Sequence, residues 1–232
     1  MLSKNLLILL SASVFLSEII LRVNETAGFL LYSFLILGCL LSLSKAKTLN
    51  DEAKLLIVFI VLPILRIAEL FIFFESFWKI HLVYLILFFL VTFYSAKFKV
   101  NPGFFKENLW MIPIVIILSA VLGFTGNFFF TFEKHLELLF LIPLIAYSEE
   151  VLFRGLIQNY AEKGYGGIAS IVFSSLLYVI FSLSLGIPSV IFIFLCSLII
   201  GVTYNSTKNI FLVVIMNFIL HLFFFVFPKI SF

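Results

Sequence analysis

The chain has 232 residues, of which 63% are hydrophobic and 12% are charged, and its net charge is +3. A soluble domain has roughly 45–50% apolar and about 25% charged residues. The composition therefore excludes an ordinary soluble domain and indicates a protein whose solvent is largely lipid. The lysines stand between apolar runs and form no single basic patch, which argues against nucleic-acid binding.

A series of apolar segments follows along the chain, each close to the roughly 20 residues that a transmembrane helix needs. They lie near 5–22, 27–44, 54–74, 80–96, 109–124, 136–160, 167–186, 188–205 and 209–228. The predicted fold is therefore all-α, a polytopic transmembrane bundle of eight or nine helices. The polar stretch at 97–107 divides a variable N-terminal membrane region, 1–108, from a core at 109–232.

The placement of the basic residues predicts the orientation of the chain. With nine helices, the side of the membrane that holds the N-terminus carries most of the lysines. Cytoplasmic loops are enriched in Lys and Arg, so this arrangement predicts a cytoplasmic N-terminus. An eight-helix arrangement would move one terminus to the other side.

The cysteines and two of the histidines are weak candidates for a site. Cys39 and Cys196 lie inside apolar segments far apart in sequence, which favours packing over a disulfide or a metal pair. His81 and His135 lie near the ends of predicted helices, where polar tips reach the membrane interface.

Charged residues inside the apolar segments are the strongest signal in the sequence. A charge at mid-bilayer costs about 2.5–3.5 kcal/mol, so such residues usually pair or line a polar cavity. Arg66 and Glu69 are three residues apart and so share one helix face. The spacing predicts an ion pair that either fixes helix packing or lines a polar pathway.

A second group of charges lies in the segment 136–160. Glu149 and Glu150 are adjacent, so their side chains point about 100° apart on a helix and cannot make the same contact. Arg154 is four residues after Glu150 and can pair with it. Glu149 is then left for another task, and a carboxylate in a dehydrated cavity is a candidate general base. The alternative is that the three residues form a purely structural cluster.

The pattern Glu149-Glu150-x-x-x-Arg154 and its context resemble a known family. A glycine-containing turn at 164–167, a Ser-Ser-Leu-Leu-Tyr segment at 174–178 and a Gly-x-x-Tyr helix end at 201–204 follow the pattern. In this order the chain resembles the CAAX-protease and bacteriocin-processing family of intramembrane endopeptidases (CPBP, also called Abi) over roughly residues 136–226. The resemblance implies a helical membrane protease whose first glutamate and first histidine activate a water.

Two motifs depart from the family pattern. The family's Phe-x-x-x-His lines up with Tyr178 to Ser182, so serine stands where the family has histidine. The family's His-x-x-x-Asn lines up with Asn217 to His221, in the reverse order. The reversal displaces each side chain by one helical turn, about 6 Å, along one face of the helix. The sequence leaves open whether the site survives this change.

The resemblance implies a role for each matched residue. Glu149 would be the general base, Glu150 and Arg154 a pair that positions it, and Asn217 with His221 the donors that stabilise an oxyanion. Ser182 can hydrogen-bond a water but cannot replace an imidazole as a base. The alternative for the last two donors is an interhelical polar clamp.

A metal is the open point of this scheme. A catalytic zinc usually has three protein ligands and one open position. His221 and Glu149 could supply two ligands and Glu150 a third, but a site with two histidines cannot be assembled from the matched positions. The sequence thus leaves both a divalent metal such as zinc and metal-free hydrolysis open.

Two functions fit these observations. The first is an intramembrane endopeptidase that cleaves a peptide bond near the cytoplasmic membrane face, with a peptide or protein as its substrate. The alternative is an inactive member of the fold that binds a peptide, lipid or protein partner in the membrane. A small transporter is less well supported, because no pair of helices broken by Gly or Pro marks a midplane site in two halves.

Overall fold

Helices account for almost all of the residues that this computed structural model describes, which are 4–44, 51–71, 76–97, 108–126, 139–180 and 187–225. No strand occurs within these ranges, so the predicted all-α fold is confirmed. The described ranges contain nine helical segments, and each predicted apolar segment overlaps one of them. They are α1 (Lys4–Val23), α2 (Glu25–Ser44), α3 (Asp51–Phe71), α4 (Ser76–Lys97), α5 (Ile112–Gly126, after a 3-10 turn at Leu109–Met111), α6 (Ile142–Glu150, Val151–Gln158 and Asn159–Tyr165), α7 (Gly167–Ile180), α8 (Ile187–Thr207) and α9 (Ile210–Phe225).

The bundle has the properties of an integral membrane protein. Within the described ranges, three stretches are long and apolar enough to cross a membrane: Glu25–Ser44, Leu109–Gly126 and Pro188–Thr207. Large apolar side chains, such as Phe34, Ile117 and Val202, are exposed on their outer faces. In water such surfaces would be unfavourable, and in lipid they are the expected exterior. The number of crossings and the side of the N-terminus stay predictions.

Helix α6 lies at the centre of the bundle. It contacts α3, α4, α7, α8 and α9, and every residue from Ser148 to Gln158 is buried. A helix that is surrounded on all sides can bring polar groups from several neighbours to one point. The two glutamates and the arginine singled out in the sequence lie on this helix.

The junction of α1 and α2 gives a prediction about stability. A Cβ atom on Gly28 would clash with the Cα atom of Leu21 in α1, and backbone atoms cannot move aside without shifting the helix. We expect Gly28→Ala to lower the free energy of unfolding by about 1–3 kcal/mol. Gly38 in the same helix is the matched control, since a Cβ there would meet nothing within 4 Å. Thermal unfolding in detergent should show a loss for Gly28→Ala and none for Gly38→Ala; equal midpoints would contradict the close approach.

Candidate active site

Helix α6 changes its winding directly after the paired glutamates. Residues up to Glu150 are α-helical, and Val151–Gln158 form a π-helix before the α-helix resumes at Asn159. π-Helical turns are rare and are frequent at functional sites. The wider turn shifts the residues after Glu150 relative to the face of α6 that carries Glu149.

Glu149 is the point at which four side chains from three other helices converge. Its Oε1 accepts a hydrogen bond from the hydroxyl of Tyr84 in α4 at 2.7 Å. Its Oε2 accepts from the hydroxyl of Tyr178 in α7 at 3.0 Å and from Nδ2 of Asn217 in α9 at 2.9 Å. Nε2 of His221 lies 3.0 Å from the same oxygen, and we assign the proton to this nitrogen because an ionised carboxylate only accepts. Such convergence indicates a carboxylate that is held in one orientation.

The hydrogen bonds are distributed unevenly between the two oxygens of Glu149. Among the described residues, three donors contact Oε2 and one, Tyr84, contacts Oε1. A carboxylate oxygen has about two lone pairs, so Oε1 keeps room for a further donor such as a water. The side chains of Glu149 and His221 are 11% and 12% exposed, so this edge of the site can be reached from outside the packed core.

Glu150 lies in a different environment from its neighbour. Its carboxylate Oε2 is 3.4 Å from Nε of Arg154, and both side chains are completely buried. No described residue donates a hydrogen bond to either oxygen of Glu150. The pair predicted from the four-residue spacing is therefore present as a closed ion pair inside the bundle. Because neither partner contacts solvent, the pair is better placed to support the site than to contact a substrate.

Arg154 connects this ion pair to two other helices. Its Nη2 donates to the backbone carbonyl of Ser197 at 2.9 Å and contacts the hydroxyl of the same residue at 2.6 Å. Its guanidinium lies 5.2 Å from the ring centre of Tyr178, a cation–π distance. Arg154 thus packs against Tyr178, whose hydroxyl contacts Glu149. Through this contact the buried arginine can position the carboxylate of Glu149.

One helical turn further on, Gln158 repeats the attachment of α6 to α8. Its Nε2 donates to the carbonyl of Gly201 at 3.0 Å, and its Oε1 accepts from the hydroxyl of Ser174 at 3.3 Å. The absence of a side chain at Gly201 permits this approach, because a Cβ atom there would lie 3.3 Å from Oε1 of Gln158 and 3.0 Å from Cγ2 of Ile171. The π-helical part of α6 is therefore fixed to α7 and α8 by buried hydrogen bonds.

Local sequence signals orient the helices that carry the other donors. Gly166 has a φ of 85° and a ψ of 169°, a conformation that is almost confined to glycine, and it separates α6 from α7. Asn209 precedes α9 and its Oδ1 accepts from the backbone N–H of Phe211 at 3.0 Å, an N-cap that fixes where α9 begins. Asn217 and His221 follow two and three turns later, on the face that contacts Glu149.

The structure brings five of the six predicted catalytic residues together. Glu149, Asn217 and His221 form one hydrogen-bonded group, so the reversed order of the last motif still places both side chains on the same carboxylate oxygen. Glu150 and Arg154 lie directly beside this group. Ser182 lies outside the described residues, as does His135, and the side chain of His81 is also outside them.

The described residues do not fit a zinc centre. They contain no group of three or more His, Cys, Asp or Glu side chains placed to hold a metal ion. His221 and Glu149 contact each other directly, and Glu150 faces Arg154 on another side. This donor set supplies two ligands where a catalytic zinc usually has three.

Sequence reasoning missed Tyr84 altogether and missed the role of Tyr178. Tyr178 was placed only at the first position of the second motif, where the family has phenylalanine and so no hydroxyl. Tyr84 lies in α4, in the half of the chain that shows no motif. One signal was available: each hydroxyl lies within an apolar segment, where a polar group needs a partner.

A second charged group lies in the N-terminal half. The predicted pair of Arg66 and Glu69 is present, with Nη1 of Arg66 and Oε2 of Glu69 2.5 Å apart. Nη2 of Arg66 also contacts Glu18 of α1 at 3.0 Å, and the hydroxyl of Tyr32 of α2 donates to Glu18 at 2.8 Å. Glu18 was overlooked in the sequence although it lies inside the first apolar segment.

Comparison with known protein families gives a match in the C-terminal part of the chain. Residues 131–223 match the family model "Rce1-like", described as type II CAAX prenyl endopeptidase Rce1-like. The matched range contains Glu149, Glu150 and Arg154 of α6, Tyr178 of α7, and Asn217 and His221 of α9, but not Tyr84. No curated protein and no solved structure matches the chain significantly.

Proposed function

We propose that the chain hydrolyses a peptide bond near the cytoplasmic membrane face with Glu149 as its general base, on the premise that residues 131–223 match the Rce1-like family of CAAX-type intramembrane proteases. The observation that carries the proposal is the convergence of Tyr84, Tyr178, Asn217 and His221 on one partly accessible carboxylate. A purely structural ion pair does not need donors from three helices on a single residue.

The uneven distribution of hydrogen bonds suggests how a water is activated. A water that donates to Oε1 of Glu149 lies beside Tyr84, on the oxygen that has acceptor capacity left. Glu149 takes a proton from this water while the water oxygen forms a bond to the carbonyl carbon of the peptide. The carbon–nitrogen bond then breaks, and Glu149 returns the proton to the nitrogen of the leaving amine. The atoms of one water are thereby divided between the two products.

The same proton transfer gives Asn217 and His221 their role. In the resting state both contact Oε2 of Glu149. Once Glu149 is protonated, it accepts fewer hydrogen bonds, because a neutral carboxyl has less acceptor capacity than a carboxylate. The two donors then become available for the oxyanion that forms beside it. Stabilisation by such donors is often the largest single contribution to acyl-transfer catalysis.

The histidine of the family's second motif has no counterpart in this chain, and two tyrosines compensate in part. In the family the histidine is thought to act with the first glutamate on the water. Here the hydroxyls of Tyr84 and Tyr178 hold the carboxylate on opposite oxygens. They can orient Glu149, but they are poor bases near neutral pH. The proton therefore stays on Glu149 between the two steps.

The direct test uses purified protein in detergent and quenched fluorescent peptides, with and without a prenylated cysteine near the C-terminus. We expect turnover of at least one peptide, and we expect a chelator to leave the rate unchanged because the described residues do not assemble a metal site. Turnover that disappears with the chelator and returns with zinc would overturn the metal-free scheme.

Asn217 gives a prediction that separates catalysis from packing. Asn217→Leu keeps the branched shape of the side chain and removes the donor to Glu149, so kcat should fall about 100-fold with little change in KM. Met216→Leu is the matched control, because Met216 is the buried neighbour on α9 and such a swap is well tolerated. If Asn217 is only an interhelical clamp, Asn217→Leu will reduce stability slightly and leave kcat as it is.

The alternative function is a non-catalytic member of the family that binds a peptide in the same site. The observation that favours it is the serine at the histidine position, together with the dense hydrogen bonding of Glu149 in the resting state. Such a protein would bind peptides without cleaving them. The two functions differ only in the fate of the bound peptide.

A further inference from the structure

The two tyrosines on Glu149 contact opposite oxygens of its carboxylate. The hydroxyl of Tyr84 donates to Oε1 at 2.7 Å, and the hydroxyl of Tyr178 donates to Oε2 at 3.0 Å. Both residues are half-buried. Their surroundings nevertheless differ, and the difference separates a residue that only holds the carboxylate from one that can change its partner.

Tyr178 is fixed on both its ring and its hydroxyl. Its ring meets the ring of Phe153 edge to face, with the ring centres 5.1 Å apart, and the guanidinium of Arg154 lies 5.2 Å from its ring centre. Its hydroxyl shares Oε2 of Glu149 with Asn217 and His221. Tyr178 is therefore suited to hold the carboxylate in place.

Tyr84 has the simpler environment. Among the described residues, Glu149 is the one hydrogen-bond partner of its hydroxyl, and Tyr84 is the one donor on Oε1. A phenolic oxygen can also accept hydrogen bonds while it donates one. The water placed on Oε1 under the proposed function lies beside this hydroxyl. Tyr84 is thus the side chain next to the reacting water that has acceptor capacity left.

Protonation of Glu149 reverses the hydrogen bond between Oε1 and Tyr84. When the proton of the water has moved to Oε1, this oxygen carries an O–H group and becomes a donor. The oxygen of Tyr84 lies 2.7 Å away and can accept from it. The hydrogen of Tyr84 is then directed to another acceptor. The nitrogen of the scissile bond is suitable, because it is attached to the carbon that the water attacks.

We propose that Tyr84 is the proton donor to the leaving amine. As the carbon–nitrogen bond breaks, Tyr84 gives its proton to the nitrogen, and Glu149 gives the proton on Oε1 to the oxygen of Tyr84. Tyr84 ends neutral, Glu149 ends ionised, and the amine has gained one hydrogen. A phenol keeps its proton near neutral pH, and tyrosine is an established type of general acid. The inference rests on the proposed function, since it adds a residue to the same reaction.

The experiment compares two substrates with the same acyl part. One is a cleavable peptide, and the other is the nitrophenyl ester of the segment that precedes the scissile bond. Nitrophenolate leaves without a proton, so the ester needs the attack of water but no donor. We expect Tyr84→Phe to lower kcat for the peptide at least about 100-fold. For the ester we expect a loss of no more than about tenfold, the effect of one lost hydrogen bond to Glu149.

Tyr178→Phe is the matched comparison, because it removes the hydroxyl on the other oxygen. It should lower the rates for peptide and ester by the same factor, since only the hold on Glu149 is weakened. Tyr94→Phe removes a hydroxyl from α4 about 15 Å further along the helix and should change neither rate more than about twofold. Spontaneous hydrolysis of the ester is subtracted, and unfolding midpoints in detergent show that each variant is folded.

The ratio of the two rates separates the inference from the proposed function. If Tyr84→Phe lowers both rates by the same factor, Tyr84 only positions Glu149, and hydrolysis by Glu149 still stands. A selective loss of peptide cleavage in Tyr178→Phe would place the donor on the other oxygen and overturn the inference. If wild type cleaves the ester alone, or neither substrate, both the inference and the endopeptidase are contradicted.

Discussion

Glu149→Gln should reduce turnover by about 10²–10⁴-fold, the usual contribution of a positioned general base. The amide has nearly the same size as the carboxylate but cannot take a proton from water at neutral pH. It also presents an NH2 group to donors, so some of the hydrogen bonds from Tyr178, Asn217 and His221 are lost. The loss should appear in kcat, with binding of the peptide largely retained.

A matched control for Glu149→Gln lies on the same helix. Glu162 is in the last part of α6, where it pairs with Lys208 away from the site. Glu162→Gln removes one carboxylate and should change the rate by no more than about twofold, as is usual for substitutions remote from a site. Unfolding midpoints of both variants show whether the fold is intact. A folded Glu149→Gln protein that turns over at the wild-type rate would exclude Glu149 as the base.

Arg154→Met should have the largest effect on stability, a loss of about 3–5 kcal/mol in the free energy of unfolding. The substitution leaves Glu150 completely buried without its counter-charge and removes the hydrogen bonds to Ser197. The double variant Glu150→Gln/Arg154→Met should recover much of the loss, because the uncompensated carboxylate is gone. Denaturant titration in mixed micelles measures both values.

The control for Arg154→Met is Lys208→Met, which breaks an ion pair whose side chains are 41% and 27% exposed. Surface pairs contribute about 0–1 kcal/mol, so this variant should remain close to wild type. If the double variant is no more stable than Arg154→Met, the destabilisation comes from lost packing and hydrogen bonds and not from the buried charge of Glu150.

The positions of the helices could be predicted because membrane helices are long apolar runs. In lipid, a helix forms all of its backbone hydrogen bonds within one such run. The pair of Glu150 and Arg154 and the pair of Arg66 and Glu69 could be predicted because helical spacing alone brings such residues together. The convergence of Asn217 and His221 on Glu149 required the packing of α9 on α6, which no local spacing gives. The effect of reversing their order could therefore not be decided from the sequence.

The parts of the site that sequence reasoning missed depend on contacts between distant helices. Tyr84 and Glu149 are separated by 65 positions, and nothing around Tyr84 resembles a motif. The π-helix at Val151–Gln158 has no signature in the composition of this segment, yet it sets which residues of α6 contact α8. Glu18 was missed for a different reason. Its charge within an apolar segment is visible in the sequence, but its partners, Tyr32 and Arg66, lie on other helices.

If Glu149 activates a water that attacks a peptide bond, the oxygen of that water must appear in one of the two products. Purified wild type and Glu149→Gln are incubated with the same cleavable peptide in heavy-oxygen water, and the products are weighed by mass spectrometry. We expect wild type to yield a product whose new carboxyl group contains one heavy oxygen, and Glu149→Gln to yield none above background. A folded wild-type protein that binds peptides and releases no labelled product would contradict hydrolysis by Glu149 and support the peptide-binding alternative.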